Sequence, residues 1–394
     1  MSTGGPPKEP PEMRFRLLSK CGRLRHGELT LPHSRVQTPV FMPLLDLDCQ
    51  ILLCNNYHLG HRPGHELVKK AGGIHEFMQW PRSMVSLSKL MKVTEEGVEF
   101  ESPHTKELMM LTPERCIELQ EAIGADIMMQ LDHVVPSLTT GPLVEEAMQR
   151  SIRWLDRCIA AQTRTDQVLF PIIQGGLNLE LRAECTKEMI KRVKVGIAIG
   201  GLSGGEEKDK FWRIVAKCCE QIPEGIPRYV MGVGHSVDMV VASVLGADMF
   251  DCVFPTRTAR FGTAITRREG ELHLSQRKFR EDFRPIDEEC TCHTCKSKYK
   301  RFLPLQHDRD GRCGNAGFCN ILSLVGKAPD AVACHLISIH NIHHHFELMR
   351  RLRTACDKAS FHDFLHEFVG EQFGSVEKTP RWVLDAFEYA GYRL

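Results

Sequence analysis

The sequence predicts an α/β chain, and within that class a (β/α)8 barrel of the TIM type. Three observations predict it. Short apolar runs rich in Val, Ile and Met alternate with amphipathic helical stretches from about residue 39 to residue 253. Most of these runs end in a polar residue or a glycine, and in such a barrel the active site sits at the C-terminal strand ends. A doubly wound sheet would favour one glycine-rich loop after its first strand, and neither GxGxxG nor GxxxxGK[ST] stands there.

The chain begins MSTGGPPKEPPEMRFRLLSK, which lacks an apolar signal core. Residues 1–12 are therefore expected to form a disordered lead, with the barrel over 13–285. Strands are expected within 39–43, 50–54, 126–132, 168–174, 196–200, 228–232 and 248–253. Each is brief and apolar on both sides, as a parallel strand buried on both faces requires. A helix is expected over Pro113–Ile123, where Thr112 is an N-cap and Pro113 takes the first helical position. Further helices are expected over 145–161, with Ala147, Ile152, Leu155 and Ile159 at helical spacing, and over 179–191, 206–221 and 238–245. Two places are thin. WPRSMVSLSKLMKVTEE, over 80–96, offers no buried strand, and only residues 44–49 separate the first two strand candidates, too few for a crossover helix. The barrel is thus expected with one strand or helix segment missing. A metal-binding subdomain is expected over 286–345, with an atypical insertion near 307–327. Helices over 344–358 and 361–373 belong to a C-terminal segment, 346–394, packing on the barrel.

The 394 residues are 42% apolar and 26% charged, which excludes a disordered, collagenous or fibrous chain. A net charge of +1 excludes a chain-wide basic surface, so any nucleic-acid site must be local. No stretch reaches the roughly 18 apolar residues of a membrane span, and a cytoplasmic protein is expected. Its cysteines then stay reduced. Cys116, Cys158, Cys185, Cys218 and Cys252 stand singly in apolar contexts and read as small buried hydrophobes.

Cys290, Cys292 and Cys295 differ. Three thiolates within six residues, at a turn, suit tetrahedral Zn²⁺. Spacing leaves the fourth ligand open among His293, Cys313, Cys319, Cys334, His335, His340, His343, His344 and His345. A closed Cys3His set implies a structural metal. Asp251, in DMFDCVFPTRTARFG, reads either as a strand-end cap or as a nucleophile or base at the barrel mouth. Arg257 and Arg260 just beyond it, with Arg267 or Arg268, suit RNA phosphates and favour the second reading. Asp132 in QLDHVVP, Gln174 in IIQGG and the backbone at Gly200–Gly201 suit the edge of a flat heterocycle such as a purine. Met231 packs against such a base or belongs to the core.

Together these motifs, with FMP, N-x-YHLG-x-RPG, EEGV, IGGLSGGE, RYVMGVG, CTCHTC and IHNI, resemble the tRNA-guanine transglycosylases, and within them the eukaryotic catalytic type. The resemblance runs from about residue 13 to the C-terminus. It implies the barrel with an inserted zinc subdomain, and exchange of guanine at wobble position 34 of GUN-anticodon tRNAs (Asp, Asn, His, Tyr) for queuine. By resemblance Asp251 is the nucleophile that forms a covalent enzyme–ribose intermediate. Asp132, Gln174 and Gly201 fall on base-binding positions, and Met231 on a residue packing against the base. Gly232, Val233, Gly234, His235, Ser236, Val237 and Asp238, with Thr256, Arg257, Thr258, Ala259 and Arg260, fall on tRNA-contacting segments. Structural Zn²⁺ falls to Cys290, Cys292, Cys295 and His340. Gly204 stands where relatives taking a smaller base carry bulk, so the resemblance implies a wider pocket. A non-catalytic homologous subunit is the implied partner, in a heterodimer found in the cytoplasm, peripherally at the mitochondrial outer membrane.

The chain departs from the family in three places. The DSGGFQ motif, which carries an acid/base aspartate and a stacking aromatic, is absent between Pro81 and Met84. The first crossover helix is absent after FMP. Residues 307–327 are surplus. The expectation is an impaired enzyme; the alternatives are a non-catalytic tRNA-binding or scaffold subunit and an inactive splice isoform.

Overall fold

The computed structural model describes residues 12–43, 49–55, 59–87, 92–101, 108–274, 276–279, 282, 284–296 and 331–394. The surplus expected near 307–327 lies outside them, as do residues 44–48.

An antiparallel sheet comes first: β1 (Arg14–Cys21), β2 (Leu24–Thr30) and β3 (Arg35–Thr38). The parallel strands β4 (Val40–Met42), β5 (Ile51–Asn55) and β6 (Ser83–Leu87) follow. Between β5 and β6 lie α1 (His65–Lys70) and α2 (Ile74–Met78). A small sheet of β7 (Lys92–Val93), β8 (Val98–Glu101) and β9 (Leu108–Leu111) then leads into α3 (Pro113–Ile123). From there strand and helix alternate: β10 (Ile127–Met129), α4 (Pro142–Ala161), β11 (Val168–Phe170) with β12 (Ile172–Ile173), α5 (Leu179–Ile190), β13 (Ile197–Ile199), α6 (Lys208–Gln221), β14 (Arg228–Val230), α7 (Ser236–Val244) and β15 (Met249–Asp251).

The parallel ladders run β5–β6–β10–β11 and β12–β13–β14–β15–β4. Pro171, which has no N–H to give, separates β11 from β12 as one interrupted strand. Leu53 N–H donates to Pro43 O at 2.9 Å and joins β5 to β4. The barrel therefore closes on eight strands, which corrects the expectation of a missing strand. The expected gap holds β6. Its SMVSL sequence reads as polar because Ser83 and Ser86 are serines, yet both are buried. Ser83 is satisfied by Ser34, whose Oγ lies 2.6 Å from Ser83 Oγ and accepts from Ser83 N–H at 3.0 Å. Only residues 43–50 link β4 to β5, a span too short for a crossover helix.

Period-2 alternation points one side chain in two into the barrel. The interior cluster draws Val40, Met42, Ile51, Leu53, Val85, Ile127, Met129, Phe170, Ile172, Ala198, Tyr229 and Met249 from all eight strands. Leu29, Leu31 and Val36 of the first sheet join it and cover the N-terminal end. Continuing the period past the strand ends carries Gln174, Gly200, Met231 and Asp251 inward at the opposite mouth.

After β15 come α8 (Phe254–Ala259), the hairpin β16 (Thr263–Ile265) and β17 (Glu271–His273), α9 (His293–Lys296), and α10 (Ala331–Asp357). The boundary expected between 345 and 346 falls inside α10, one continuous helix. Its start, at Ala333 and Ile337, packs with Ala259, Ala264, Leu272, Phe279 and Ile286 in a separate small core. Helices α11 (Phe361–Phe373) and α12 (Arg381–Tyr389) end the chain.

Candidate active site and metal centre

Five adjacent strand positions deliver the expected site residues to one mouth. Asp132 follows β10, Gln174 ends the run after β12, Gly200 and Gly201 follow β13, Met231 and Gly232 follow β14, and Asp251 ends β15. This is the C-terminal face, where barrel enzymes place their chemistry.

Asp251 is 9% exposed. Its Oδ1 accepts from Tyr229 O–H at 2.6 Å and from Gly232 N–H at 2.8 Å. Among the described residues no hydrogen bond goes to Oδ2, so one oxygen is anchored and the other is left for substrate. Burial raises the carboxyl pKa, against the two hydrogen bonds that lower it. Tyr229 had no signal in the sequence beyond its inward register on β14.

Gln174 Nε2–H donates to Asp132 Oδ2 at 2.6 Å. Burial pushes the Asp132 carboxyl up to about 6, although the Gln174 bond opposes it. A side chain at Gly201 would meet Gln174 Oε1 at 2.4 Å, and φ there is +67°. At Gly200 it would meet Ile172 Cγ2 at 2.6 Å and Gln174 Nε2 at 2.9 Å, with Met231 Sδ at 3.6 Å. Glycine at both positions thus lets the backbone pass close against Ile172 and Gln174, which occupy the space a side chain would take.

Gly204 lies in the loop after β13. It is exposed, and a Cβ there would meet Ser137 Oγ at 2.7 Å. Ser137, not open space, stands where the side chain would be. The loop is held by Glu206, which accepts from Ser203 N–H at 2.6 Å and Gly204 N–H at 2.9 Å.

Of the residues expected at tRNA, Arg257 and Arg260 are exposed and make no ion pair among the described residues. Thr256 and Thr258 turn their hydroxyls back to Val253 O and Phe254 O. Ala259, Val233 and Gly234 are buried, and Gly234 O accepts from His345 Nε2 at 2.7 Å. His235 lies against Phe254 with centroids 3.8 Å apart and ring planes tilted by 40°, Ser236 opens α7 with Val237 beside it, and Asp238 pairs with Lys208. Arg267 is corrected as an RNA contact, because it pairs with Glu289, Glu367 and Glu371; Arg268 pairs with Glu289. The EEGV segment is a clasp: Glu95 accepts from Arg150 and Arg153, which hold its carboxyl down at about 2.

At the metal centre, His340 joins Cys290, Cys292 and Cys295. His340 Nε2–H donates to Ile265 O at 2.8 Å, which turns Nδ1 toward the sulfurs as the ligand atom. It lies 3.5 Å from Cys290 Sγ, 3.6 Å from Cys292 Sγ and 3.3 Å from Cys295 Sγ. A tetrahedral zinc with ordinary Zn–S and Zn–N bonds puts sulfur and nitrogen about 3.5 Å apart. The four residues fit a closed structural site.

A second His/Asp group, His33, His75 and Asp126, was not legible in the sequence. It lies at the barrel's opposite end, before β10. The two imidazoles stack at 3.5 Å with planes 13° apart. One ion cannot lie in both ring planes, so this is a hydrogen-bonded clasp. Asp126 accepts from His33 Nδ1 at 2.9 Å and from Met84 N–H at 2.8 Å.

Comparison with known proteins shows the family. The family model described as queuine tRNA-ribosyltransferase matches residues 20–308 and 320–373. The unmatched 309–319 fall inside the surplus expected at 307–327. The queuine tRNA-ribosyltransferase catalytic subunit of Caenorhabditis elegans is 54% identical, over 97% of this chain and 100% of the relative. That comparison spans 418 residues, more than the 394 of this chain, so the worm protein carries residues this one lacks. The Schizosaccharomyces pombe catalytic subunit is 45% identical over 98% of both chains. The queuine tRNA-ribosyltransferase of Thermus thermophilus is 38% identical over 96% of this chain and 99% of its own.

Proposed function

The chain belongs to the queuine tRNA-ribosyltransferase family, a family of pentosyltransferases, and from that premise we propose that it exchanges guanine at tRNA position 34 for queuine through a covalent intermediate on Asp251. The observation that carries the reading is Asp251 itself: a buried carboxylate at the barrel mouth, fixed through Oδ1 by Tyr229 and Gly232, with Oδ2 unbonded among the described residues. Oδ2 attacks the ribose C1′. The C1′–N9 bond breaks and its electron pair leaves with guanine, which takes up a proton. Queuine then loses a proton and attacks C1′, releasing Asp251. Two displacements retain configuration. Asp132 accepts N–H donors from the base edge, Gln174 meets its carbonyl, and Met231 packs on its face. Cys290, Cys292, Cys295 and His340 would hold a zinc ion, which would tie the subdomain together as a structural metal.

Both proton transfers fall to the DSGGFQ aspartate in the family, and this chain has none. We therefore propose slow turnover with the nucleophile retained. By the same resemblance the substrates are the GUN-anticodon tRNAs and the active form is a heterodimer with a non-catalytic homologue, cytoplasmic or peripheral at the mitochondrial outer membrane. No helix among the described residues is long and apolar enough to cross a membrane. A scaffold subunit is the second reading, favoured by the missing segment and opposed by the intact Asp251.

The test is incubation with tRNA carrying guanosine at position 34, followed by denaturing electrophoresis. A tRNA adduct is expected for the native chain and none for Asp251→Asn. An adduct that survives Asp251→Asn overturns the assignment of the nucleophile, and the absence of adduct from the native chain favours the scaffold reading.

A further inference from the structure

The turn that follows α8 presents an aromatic ring that the chemistry above leaves unused. Phe261 is 73% exposed. Its backbone is nevertheless fixed. Phe261 N–H donates to Thr258 O at 2.9 Å, Gly262 N–H to Ala259 O at 3.0 Å, and Leu274 N–H to Gly262 O at 2.9 Å. Gly262 takes φ +72°, which turns the chain into β16. The ring is therefore held out on an ordered turn.

Isolated exposed apolar residues are ordinary, so exposure alone argues nothing. The surroundings argue more. Arg257 and Arg260 precede the ring, both exposed and without an ion pair among the described residues. Arg267 and Arg268, a few positions on, are committed to glutamates. Helix α8 starts three residues after Asp251, and six helical residues span only about 9 Å. Ring, free cations and nucleophile can thus meet neighbouring nucleotides of one loop. A base that reacts at its glycosidic bond must leave its stack, which strips one face from its neighbour. Proteins cover such faces with aromatic side chains.

We propose that Phe261 is a stacking platform for an unpaired base next to the exchanged guanosine, with Arg257 and Arg260 on the adjoining phosphates. The proposal rests on the tRNA reading above. The test is fluorescence anisotropy with a labelled RNA stem–loop carrying guanosine at the first anticodon position. Phe261→Ala is expected to weaken binding by about 5- to 100-fold. Phe261→Trp should restore it, and Phe261→Leu, apolar but without a ring face, should not. The salt dependence of Phe261→Ala should equal that of the native chain, whereas Arg257→Ala should lower the slope by about 0.7 to 1. Native affinity in Phe261→Ala or Phe261→Leu overturns the platform while leaving the tRNA reading intact. No binding by the native chain overturns both. A change in sedimentation of RNA-free Phe261→Ala assigns the ring to a contact between copies and also overturns the proposal.

Discussion

The two halves of the barrel are unequal. The half from β10 to β15 follows every strand with a helix and carries Asp132, Gln174, Gly201, Met231 and Asp251 at its strand ends. The half from β4 to β6 links its first two strands by residues 43–50 and carries none of the residues assigned to the base or the ribose. Yet both halves fill the interior alike, with Val40, Ile51, Leu53 and Val85 facing Phe170, Ile172 and Met249. Closing a barrel and completing an active site are separate requirements. Closure needs one apolar inward layer, which each buried side chain favours by about 1.5–3 kcal/mol. Catalysis needs particular groups at particular strand ends. On the proposed reading, one half carries them and the other does not.

The largest effect that would sharpen this contrast is repair of the depleted half. Inserting Asp-Ser-Gly-Gly-Phe-Gln after Leu87, at the C-terminal end of β6, is expected to raise the rate of labelled guanine incorporation by about 10²–10⁴-fold, the usual contribution of a general acid/base. The same insertion with asparagine in place of its aspartate controls for folding and should gain far less. Equal rates for the two insertions would show that the proton is carried from the half already complete.

The metal centre should respond separately from both halves. Chelation, or Cys292→Ser, is expected to lower bound zinc from one per chain to none. Amides of 286–296 and 331–345 should then exchange about a hundredfold faster, the loss for a ligand held at a hundred times its Kd. Tyr229 and Phe250, in the interior ladder, should stay protected. Unchanged exchange after zinc loss would mean that the small core of Leu272, Phe279, Ile286 and Ile337 holds the subdomain unaided.

How legible each half was in the sequence follows the same division. Pro113–Ile123 and Phe361–Phe373 are the helices expected, because the Thr112 cap with Pro113, and the aromatic spacing of the second, are local signals. Strands from β10 onward stand where apolar runs place them. Strand β6 was hidden because it carries two buried serines, of which Ser83 finds its partner in Ser34, far away in sequence. Tyr229 was hidden because its partner is Asp251, and Ser137 because only the fold sets it against Gly204. His340 could not be chosen by spacing among nine candidates. The Ile265 carbonyl that fixes its tautomer is a tertiary partner. Contacts between distant segments escape a one-dimensional reading, and half of a site consists of them.

The smallest expected effect tests whether the complete half binds base as the geometry suggests. Asp132 must be ionised to accept two N–H donors, and burial lifts its carboxyl to about 6. A raised acid pKa means that the neutral form persists to higher pH, so acceptor strength is present above about 6 and is lost below it. Guanine affinity measured by calorimetry should fall by about tenfold per pH unit below that value and be level above it. Asp132→Asn should flatten the profile at low affinity, because its amide offers the base edge a donor where an acceptor is needed. A native profile that stays level down to pH 4.5 would place the ionisation elsewhere. Base binding beside Gln174 would then rest on neutral hydrogen bonds alone.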